Sequence, residues 1–530
     1  MPHRNPVLAT TQMAVSSHPL VSAAGLDCLT QGGNAVDAAL AMAAVSWLAL
    51  PGQCGVGGDA FAIVHEPDGE VWTVGGSGLG PDGGHPDFYR DQGLSAIPTE
   101  GALSVAAPGE IAALALLHER GATRSLSELW APAVTAARRG VPCTAKTRAD
   151  IHEHRSTLAA DPTMSSVFLP RGRLPEVGER ISQPDLADLI SLLAERWTSL
   201  YQGELAQRSV QALVQSGAPF TGEEWSLAGT AQSGPSIGHR YGDVTVHATP
   251  PPTPGWMVLQ QAALCDGELA REPLLGSAAV AAMASAVRRA FLDRYRHCGS
   301  DNDRWSDLLG DSAVATARAE LHAAAATPLV SAHIDGDTTS VVTVDRDGRA
   351  VSLIHSLGFT FGARTTVPGT GMLLNNRLGR GAYLIAGHPN EVRPRRKPLH
   401  TLNAWLVTDP SGGLAHIGNT PGGDGQVQWN MQLLSHLLDH ELDPQAAVSA
   451  PRFTVHPGSD ADTLDDRDEL RCESRLGADV VEGLRARGEN VRVIGPWAAG
   501  GSALVVSVDR TRGYLAGGAD PRQDGVALGD

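Results

Sequence analysis

The residues around position 338 have the types and order needed for a nucleophile that carries its own base. Asp337 precedes Thr338, and residues rich in Val and Thr follow as far as Asp345. Hydrolysis of the Asp337–Thr338 bond would give Thr338 a free α-amino group, whose ordinary pKa of about 7.7–8.0 lets it accept a proton near neutral pH. A threonine hydroxyl becomes an effective nucleophile when such a base lies beside it. By composition alone, this segment is more often a loop that leads into a strand.

Patterns on either side of this threonine indicate the elements that position it. Residues 338–345 and 350–357 are apolar runs separated by a turn-forming Asp-Arg-Asp-Gly, which predicts a β-hairpin with Thr338 at its start and Ser356 near its end. Helical spacing occupies residues 19–48, 109–139, 183–216, 256–295, 426–438 and 478–487, and strand-like runs occupy 404–408 and 503–508. We therefore expect a mainly helical part, residues 1–337, followed by a mixed part, residues 338–530.

Composition and charge exclude several classes of partner. The 530 residues carry a formal net charge of −17, whereas nucleic acids and anionic membranes are bound by basic surfaces. The N-terminus lacks an apolar run of signal-peptide length, and the most apolar stretch, residues 38–50, is shorter than the roughly 20 residues of a membrane span. That stretch predicts a buried helix. Six cysteines without any C-x-x-C spacing argue against a disulfide framework, so we expect a cytoplasmic protein.

Two other motifs invite a cofactor interpretation that their spacing does not favour. Residues 152–154, His-Glu-His, could hold a metal, but histidines two residues apart point to opposite faces of a strand, so an exposed surface stretch is the better interpretation. The glycine-rich turn at residues 55–58 lacks the G-x-G-x-x-G form of a phosphate-binding turn. We expect no metal and no organic cofactor.

Several segments, in a fixed order along the chain, resemble the γ-glutamyltranspeptidase family. They extend from about residue 13 to residue 529, and together they are far more specific than any one of them. The matching segments are 13–20, 24–25 and 32–39 near the N-terminus, the glycine-rich turn 54–59, the prolines 250–252 with Gly255, the nucleophile segment 338–351, and the later segments 373–376, 421–423, 520–522 and 524–525.

The resemblance implies an N-terminal-nucleophile (Ntn) hydrolase of the α/β (α+β) class with a four-layer αββα fold. It also implies a precursor that cleaves itself, here into a large subunit of residues 1–337 and a small subunit of residues 338–530. These would remain a heterodimer, with further dimerisation left open. Gly422 and Gly423 match the glycines whose N–H groups stabilise the oxyanion, and Ser356 stands where the family has a threonine near the nucleophile. The alternatives are an ordinary Pro-Gly-Gly turn and a serine on a sheet face.

The substrate-binding positions depart from the family pattern. The family's glutamate-binding arginine segment corresponds to residues 76–81, which contain no arginine. The family aspartate that pairs with the substrate amine corresponds to Arg380, and an acidic or amide residue corresponds to Arg377. A family serine pair corresponds to His400 and Thr401, and an asparagine beyond the hairpin is replaced by Gly358.

These exchanges predict a substrate other than a γ-glutamyl compound. Arginine repels an amine and binds a carboxylate through paired hydrogen bonds. We expect the chain to resemble the acylase and amidase branch, which includes oxamate amidohydrolase, and to hydrolyse a small anionic amide bound by Arg377, Arg380, Asn376, His400 and Thr401. Three alternatives stay open: the two arginines lie on an exposed, mobile loop, the chain is a γ-glutamyl hydrolase or transpeptidase, or it is a catalytically silent relative that binds a metabolite.

Overall fold

The computed structural model describes residues 4–323, 338–456, 458 and 468–530. The helices are α1 (Pro19–Thr30), α2 (Ala35–Ala49), α3 (Pro86–Arg90), α4 (Glu110–Gly121), α5 (Leu126–Arg139), α6 (Ala145–Glu153), α7 (Arg155–Ala160), α8 (Pro162–Phe168), α9 (Pro184–Glu195), α10 (Gly203–Gln215), α11 (Glu223–Leu227), α12 (Gly255–Cys265), α13 (Ser277–His297), α14 (Arg304–Leu308), α15 (Asp311–Ala323), α16 (Arg377–Gly381), α17 (Gly425–Leu438), α18 (Pro444–Ser449) and α19 (Ala478–Ala486). The strands are β1 (Val7–Ala9), β2 (Met13–Ser16), β3 (Asp59–His65), β4 (Val71–Gly76), β5 (Val141–Pro142), β6 (Arg180–Ile181), β7 (Gln232–Pro235), β8 (Ile237–Tyr241), β9 (Val244–Ala248), β10 (Thr339–Val344), β11 (Ala350–Ser356), β12 (Thr366–Val367), β13 (Met372–Leu373), β14 (Ala404–Thr408), β15 (Leu414–Asn419), β16 (Phe453–His456), β17 (Glu469–Glu473), β18 (Val491–Ile494), β19 (Leu504–Asp509), β20 (Tyr514–Ala519) and β21 (Val526–Gly529).

Two seven-stranded antiparallel sheets form the centre of the molecule. The first has the strand order β1-β20-β19-β15-β14-β9-β8, and the second has the order β21-β2-β10-β11-β3-β4-β7. Hydrogen bonds link the sheets: Ser352 of β11 donates its hydroxyl proton to the Gly418 carbonyl at 3.0 Å and accepts one from Asn419 Nδ2 at 2.7 Å. The strands of one sheet therefore fix the position of the other.

Apolar side chains fill the space between the sheets and both outer faces. Val15, Ile354, Ile417 and Val506 belong to the layer between the sheets. Helices α1, α2, α4, α5 and α9 cover the outer face of the second sheet, and α12, α13 and α17 cover the outer face of the first. The resulting order is helix, sheet, sheet, helix. The four-layer αββα fold predicted by the resemblance is confirmed.

The predicted hairpin is confirmed, and it lies in the middle of the second sheet. Strand β10 pairs antiparallel with β11, with Thr339 opposite His355. Strand β2 pairs with the free side of β10, and β3 pairs with the free side of β11. The segments before and after residue 338 thus contribute adjacent strands to the same sheet.

The predicted helical stretches break into shorter helices where the sequence supplies caps. Asn34 and Asp37 form a capping box at the start of α2, and Ser125 and Glu128 form another at the start of α5. Such boxes satisfy the N–H groups that a helix start leaves without partners. Every residue of α2 is buried, as predicted for the apolar stretch near residues 38–50.

The His-Glu-His segment lies at a helix end rather than on a strand, and it is largely exposed, as predicted for a surface stretch. His152 and Glu153 are exposed at the end of α6, and His154 lies between α6 and α7. Within the described part of the chain, no group of three metal-ligating side chains is close enough to hold an ion. Nor does any described helix combine the length and apolarity required to cross a bilayer. All six cysteines are buried free thiols.

Candidate active site

The hairpin brings the hydroxyls of Thr338 and Ser356 together. Thr338 lies immediately before β10 and is only 2 % exposed. Its Oγ1 donates a hydrogen bond to Ser356 Oγ at 3.1 Å, and the same oxygen accepts the Gly358 N–H at 2.9 Å. The Gly358 N–H thus helps to fix the Ser356 oxygen, and that oxygen orients the Thr338 hydroxyl.

The turn after the hairpin places Arg380 and Asn376 beside this hydroxyl pair. Gly358 adopts a φ of +109°, and a Cβ there would overlap the Asn376 amide oxygen. That oxygen accepts the Phe359 N–H at 3.0 Å, while Asn376 Nδ2 donates to the Thr99 carbonyl at 2.8 Å. Arg380 donates from Nη1 to the Gly358 carbonyl at 3.3 Å, and its guanidinium lies 4.6 Å from the centre of the Phe359 ring.

Gly422 and Gly423 form a loop between β15 and α17 whose backbone conformation favours glycine. Their backbone φ angles are +130° and +57°, which residues other than glycine rarely adopt. A Cβ on Gly422 would overlap the Trp429 ring. Both carbonyls accept hydrogen bonds from the first turn of α17, at 3.1 Å each. Neither glycine N–H donates to any acceptor among the described residues, so both can serve an anionic oxygen.

A cavity of about 710 Å³ opens beside this loop. Its lining includes Phe359, Thr360, Gly422, Trp429 and Trp497. The turn after the hairpin and the glycine loop therefore border one space large enough for a small-molecule substrate. Thr338 and Ser356 are not among the residues that line it.

Residues of the matching segment 520–522 support another wall of the cavity. Arg522, which lines it, donates to both carboxylate oxygens of Glu473 at 2.8 and 2.7 Å and lies 3.1 Å from Asp520. Asp520 in turn accepts the Ala503 N–H at 3.0 Å. Because these groups are almost fully buried, their charges require such pairing.

Arg377 and His400 lie deeper in the molecule, around Asp59. Asp59 Oδ2 is 3.5 Å from Arg377 Nε and 3.3 Å from His400 Nε2, and all three side chains are fully buried. Burial and the nearby Arg377 charge lower the pKa of His400 to about 4, so its imidazole is neutral at pH 7. Thr401 is buried beside them, and its carbonyl accepts a hydrogen bond from Asn403.

The structure thus separates the predicted substrate-binding residues into two groups. Arg380 and Asn376 hold the turn next to Thr338, whereas Arg377 and His400 surround Asp59. None of these four residues lines the cavity beside Gly422. Both arginines are buried, so the alternative of an exposed loop is wrong. Asp337 lies outside the described residues.

A buried Glu110–His355 pair lies on the opposite face of strands β10 and β11 from the Thr338–Ser356 pair, and the sequence patterns did not reveal it. Glu110 Oε1 is 2.7 Å from His355 Nδ1 and accepts the Trp47 indole N–H at 2.6 Å. Burial raises the pKa of Glu110 above its usual range. Since side chains alternate along a strand, His355 faces the helices whereas Ser356 faces Thr338.

A comparison with known protein families assigns nearly the whole chain to one family. The model of the family described as Gamma-glutamyltranspeptidase matches residues 21–530. The chain belongs to the gamma-glutamyltranspeptidase family. This family comprises hydrolases and transpeptidases that act on amide bonds.

The relatives of this chain within the family differ in what their names say they act on. The chain is 34 % identical to the glutathione hydrolase-like YwrD proenzyme of Bacillus subtilis (strain 168), over 99 % of both chains. It is 29 % identical to the oxamate amidohydrolase proenzyme of Klebsiella pneumoniae subsp. pneumoniae, over 98 % of this chain and 99 % of that one. Among solved structures, cephalosporin acylase from Bacillus halodurans matches with a TM-score of 0.90 and 28 % identity, covering 100 % of this chain and 98 % of the other.

Proposed function

We propose that the chain is a self-processing Ntn amidohydrolase that cleaves a small anionic amide through an acyl-enzyme on Thr338. The observation that carries this proposal is the hydrogen bond from Thr338 Oγ1 to Ser356 Oγ at the start of the central hairpin. The family membership supports the reaction class, and the two unshared N–H groups of the Gly422-Gly423 loop support acyl transfer.

The first chemical step is hydrolysis of the Asp337–Thr338 peptide bond, which releases the Thr338 α-amino group. The relatives described as proenzymes support such a processing step in this family. It would yield subunits of residues 1–337 and 338–530. Because β2 and β3 flank the hairpin, the two subunits would remain joined by strand pairing after cleavage.

The freed amine then acts as the base for its own hydroxyl. It takes the Thr338 Oγ1 proton as that oxygen attacks the substrate carbonyl carbon, and the carbonyl oxygen becomes an oxyanion. The N–H groups of Gly422 and Gly423 donate to this oxyanion, which stabilises the transition state where charge develops. The intermediate then collapses: the C–N bond breaks, the protonated amine gives its proton to the leaving nitrogen, and the acyl group remains as an ester on Thr338 Oγ1. Water attacks this ester while the Thr338 amine takes its proton, and the C–O bond breaks to release the acid and restore the Thr338 hydroxyl.

Arg380 is the group proposed to select an anionic substrate. Its guanidinium lies beside Gly358, whose N–H binds the same serine that orients Thr338. A carboxylate close to the scissile amide could therefore bind this guanidinium through charge-assisted hydrogen bonds. Similarity to an oxamate amidohydrolase proenzyme supports this substrate class.

A γ-glutamyl substrate is the second candidate, and the 34 % identity to a glutathione hydrolase-like protein favours it. A γ-glutamyl group presents an ammonium as well as a carboxylate. Arg380, which replaces a family aspartate, would repel that ammonium. An anionic amide therefore favours a cation at position 380, whereas a γ-glutamyl substrate favours an acid there.

Self-cleavage is tested by the intact masses of the purified protein. Wild type should consist of two fragments that meet between Asp337 and Thr338, and Thr338→Ala should stay whole because it lacks the hydroxyl. Thr339→Ala, which removes the neighbouring hydroxyl, is the matched control and should still be cleaved. A fully active wild-type enzyme that remains a single chain would disprove the mechanism.

Substrate class is tested by comparing oxamate with γ-glutamyl-p-nitroanilide on wild type and Arg380→Asp. Losing a charge-assisted hydrogen bond worth roughly 1.5–3 kcal/mol should lower kcat/KM for oxamate by about ten- to a hundred-fold. Arg346→Asp, which makes the same charge change on an exposed turn, controls for the overall charge and should not matter. Efficient turnover of the γ-glutamyl substrate by wild type, with no loss on oxamate in Arg380→Asp, would favour the second candidate.

A further inference from the structure

A second cavity lies at the edge of the molecule where the two central sheets meet. The chain passes from β7, the last strand of the second sheet, directly to β8, the last strand of the first sheet. The cavity at this crossing has a volume of about 650 Å³ and shares no lining residue with the cavity beside Gly422. We call it the edge groove, and define it by Phe61, Ser77, residues 250–252 and Lys397.

The walls of the edge groove combine an apolar surface with several polar side chains and one positive charge; the polar side chains besides Lys397 are Thr73, Ser77, Gln232, Ser233 and Ser236. Phe61, Val74, Ile237 and the three prolines at 250–252 supply the apolar surface, and Lys397 supplies the charge. No carboxylate is among the lining residues. Pockets that bind small molecules in proteins commonly have this character, with a mostly apolar wall and a few placed polar groups.

Lys397 has no acidic partner in the described part of the chain. Its Nζ donates to Gln232 Oε1 at 3.1 Å, and no Asp or Glu oxygen of a described residue lies within ion-pair distance. Burial lowers the pKa of Lys397, because its charge is only partly solvated. A carboxylate placed against Nζ would stabilise that charge.

The rarity of lysine in this chain makes the position informative. Of the 41 basic residues only two are lysines, Lys146 and Lys397, and each lines one of the two cavities. Lys146 is neutralised by Asp150 at 2.7 Å. Lysine presents a compact charge with three donors, whereas arginine presents a planar fork. Lys397 is thus the lysine of this chain that faces a cavity without an ion-pair partner among the described residues.

The floor of the edge groove contacts the cluster around Asp59. Ser77 Oγ lies 3.1 Å from His400 Nε2, and the Phe61 ring packs edge-on against the His400 ring at 4.7 Å. His400 is also 3.3 Å from Asp59. When His400 donates its Nε2 proton to Ser77 Oγ, the Ser77 hydroxyl is left to direct its own proton into the groove as a second donor for an anion.

From this geometry we infer that the edge groove binds a small carboxylate with an apolar body, with the carboxylate on Lys397 and Ser77 and the body against Phe61 and the prolines. The inference does not depend on the proposed hydrolysis, because the groove shares no residue with the proposed catalytic groups. It therefore assigns a binding site distinct from the cavity at Gly422.

Isothermal titration of the purified full-length protein with phenylacetate tests the inference. Phenylacetate has one carboxylate and an apolar ring, and it contains no amide to be hydrolysed. We expect saturable binding at one site per chain, and at least tenfold weaker binding of the neutral 2-phenylethanol. Lys397→Met should weaken phenylacetate binding at least tenfold, while Lys397→Arg should retain most of it.

Two variants show where the probe binds. Lys146→Met removes the lysine of the other cavity, and Arg380→Asp removes the proposed substrate-binding cation; neither should change phenylacetate binding. Melting temperatures close to that of wild type verify that each variant is folded. If Lys397→Met unfolds, Ser77→Ala is the second test, and it should also weaken phenylacetate binding. Absence of saturable binding to wild type, or loss of binding in Lys146→Met or Arg380→Asp but not in Lys397→Met, would overturn the inference.

Discussion

Replacing Gly423 by valine should abolish most turnover while leaving a folded protein. Gly423 has a φ of +57°, in the left-handed region, and its carbonyl accepts the Gln426 N–H at the start of α17. In that region the backbone of a residue other than glycine is less favourable by about 1–2 kcal/mol of conformational free energy, and a β-branched side chain fits particularly poorly. The loop can escape this strain only by rotating the peptide units on either side of residue 423, which carry the proposed oxyanion donors.

The backbone strain and the displacement of the oxyanion donors differ in size, and the first affects stability whereas the second affects catalysis. The strain lowers the free energy of unfolding by a small amount that a stable protein tolerates. Loss of one oxyanion donor typically lowers kcat by about 10²–10³-fold, or about 2.7–4 kcal/mol of transition-state stabilisation. The second effect acts on every folded molecule, so it should dominate the measured rate.

Gly242→Val is the matched control for this experiment. Gly242 lies in the turn between β8 and β9 with a φ of +60°, and a Cβ there would meet no other atom within 4 Å. It should reproduce the backbone strain without touching the active site. The assay is kcat on oxamate or on the best amide found, together with the melting temperature of each variant. If Gly423→Val is cleaved normally and turns over like wild type, or if Gly242→Val loses the same activity, the oxyanion assignment is refuted.

Two other predictions follow from the hydroxyl pair and from the buried histidines. Ser356→Ala removes the acceptor of the Thr338 hydroxyl and should slow both self-cleavage and turnover by roughly tenfold, whereas Ser356→Thr should retain them; equal rates in the alanine variant would contradict the positioning role. Burial lowers the pKa of His400 to about 4 and that of His436 to about 3, so the unfolded chain binds more protons than the folded one between pH 6.5 and 4. Stability should therefore be full above pH 6.5 and fall as the pH decreases through this window, and calorimetry should show a smaller fall for His436→Gln.

Local elements were predictable because their signals are local. The apolar runs around an Asp-Arg-Asp-Gly turn were sufficient to place β10 and β11 within one residue at each end. The strand at Ala404–Thr408 was predicted to the residue, and the helices at Gly425–Leu438 and Ala478–Ala486 were predicted to within one residue. In each case the hydrophobic period and the flanking turn residues lie within the element itself.

The layering of the fold and the inner part of the site depend on contacts that no local pattern contains. Composition and periodicity did not reveal that β2 would pair with β10, because residues 13–16 and 341–344 are far apart in the sequence. The four layers were predicted only through the family resemblance. Glu110 gave no signal at all, since a glutamate at the start of a helix is ordinarily exposed. Glu110 can be buried because its carboxylate pairs with His355 of β11 and accepts a hydrogen bond from Trp47 of α2.

The pairing of Asp59 with Arg377 changes how the Arg377 departure from the family pattern should be interpreted. In the sequence they are separate: an aspartate after a glycine pair, and an arginine where the family has an acid or amide. In the structure Asp59 lies 3.5 Å from Arg377 in a fully buried site. A buried charge is tolerated only when it is paired, so each residue accounts for the other. The Arg377 exchange therefore does not by itself imply a substrate carboxylate. The argument for an anionic substrate rests on Arg380, which contacts the turn that holds Ser356, and position 380 is accordingly where substrate choice should be tested first.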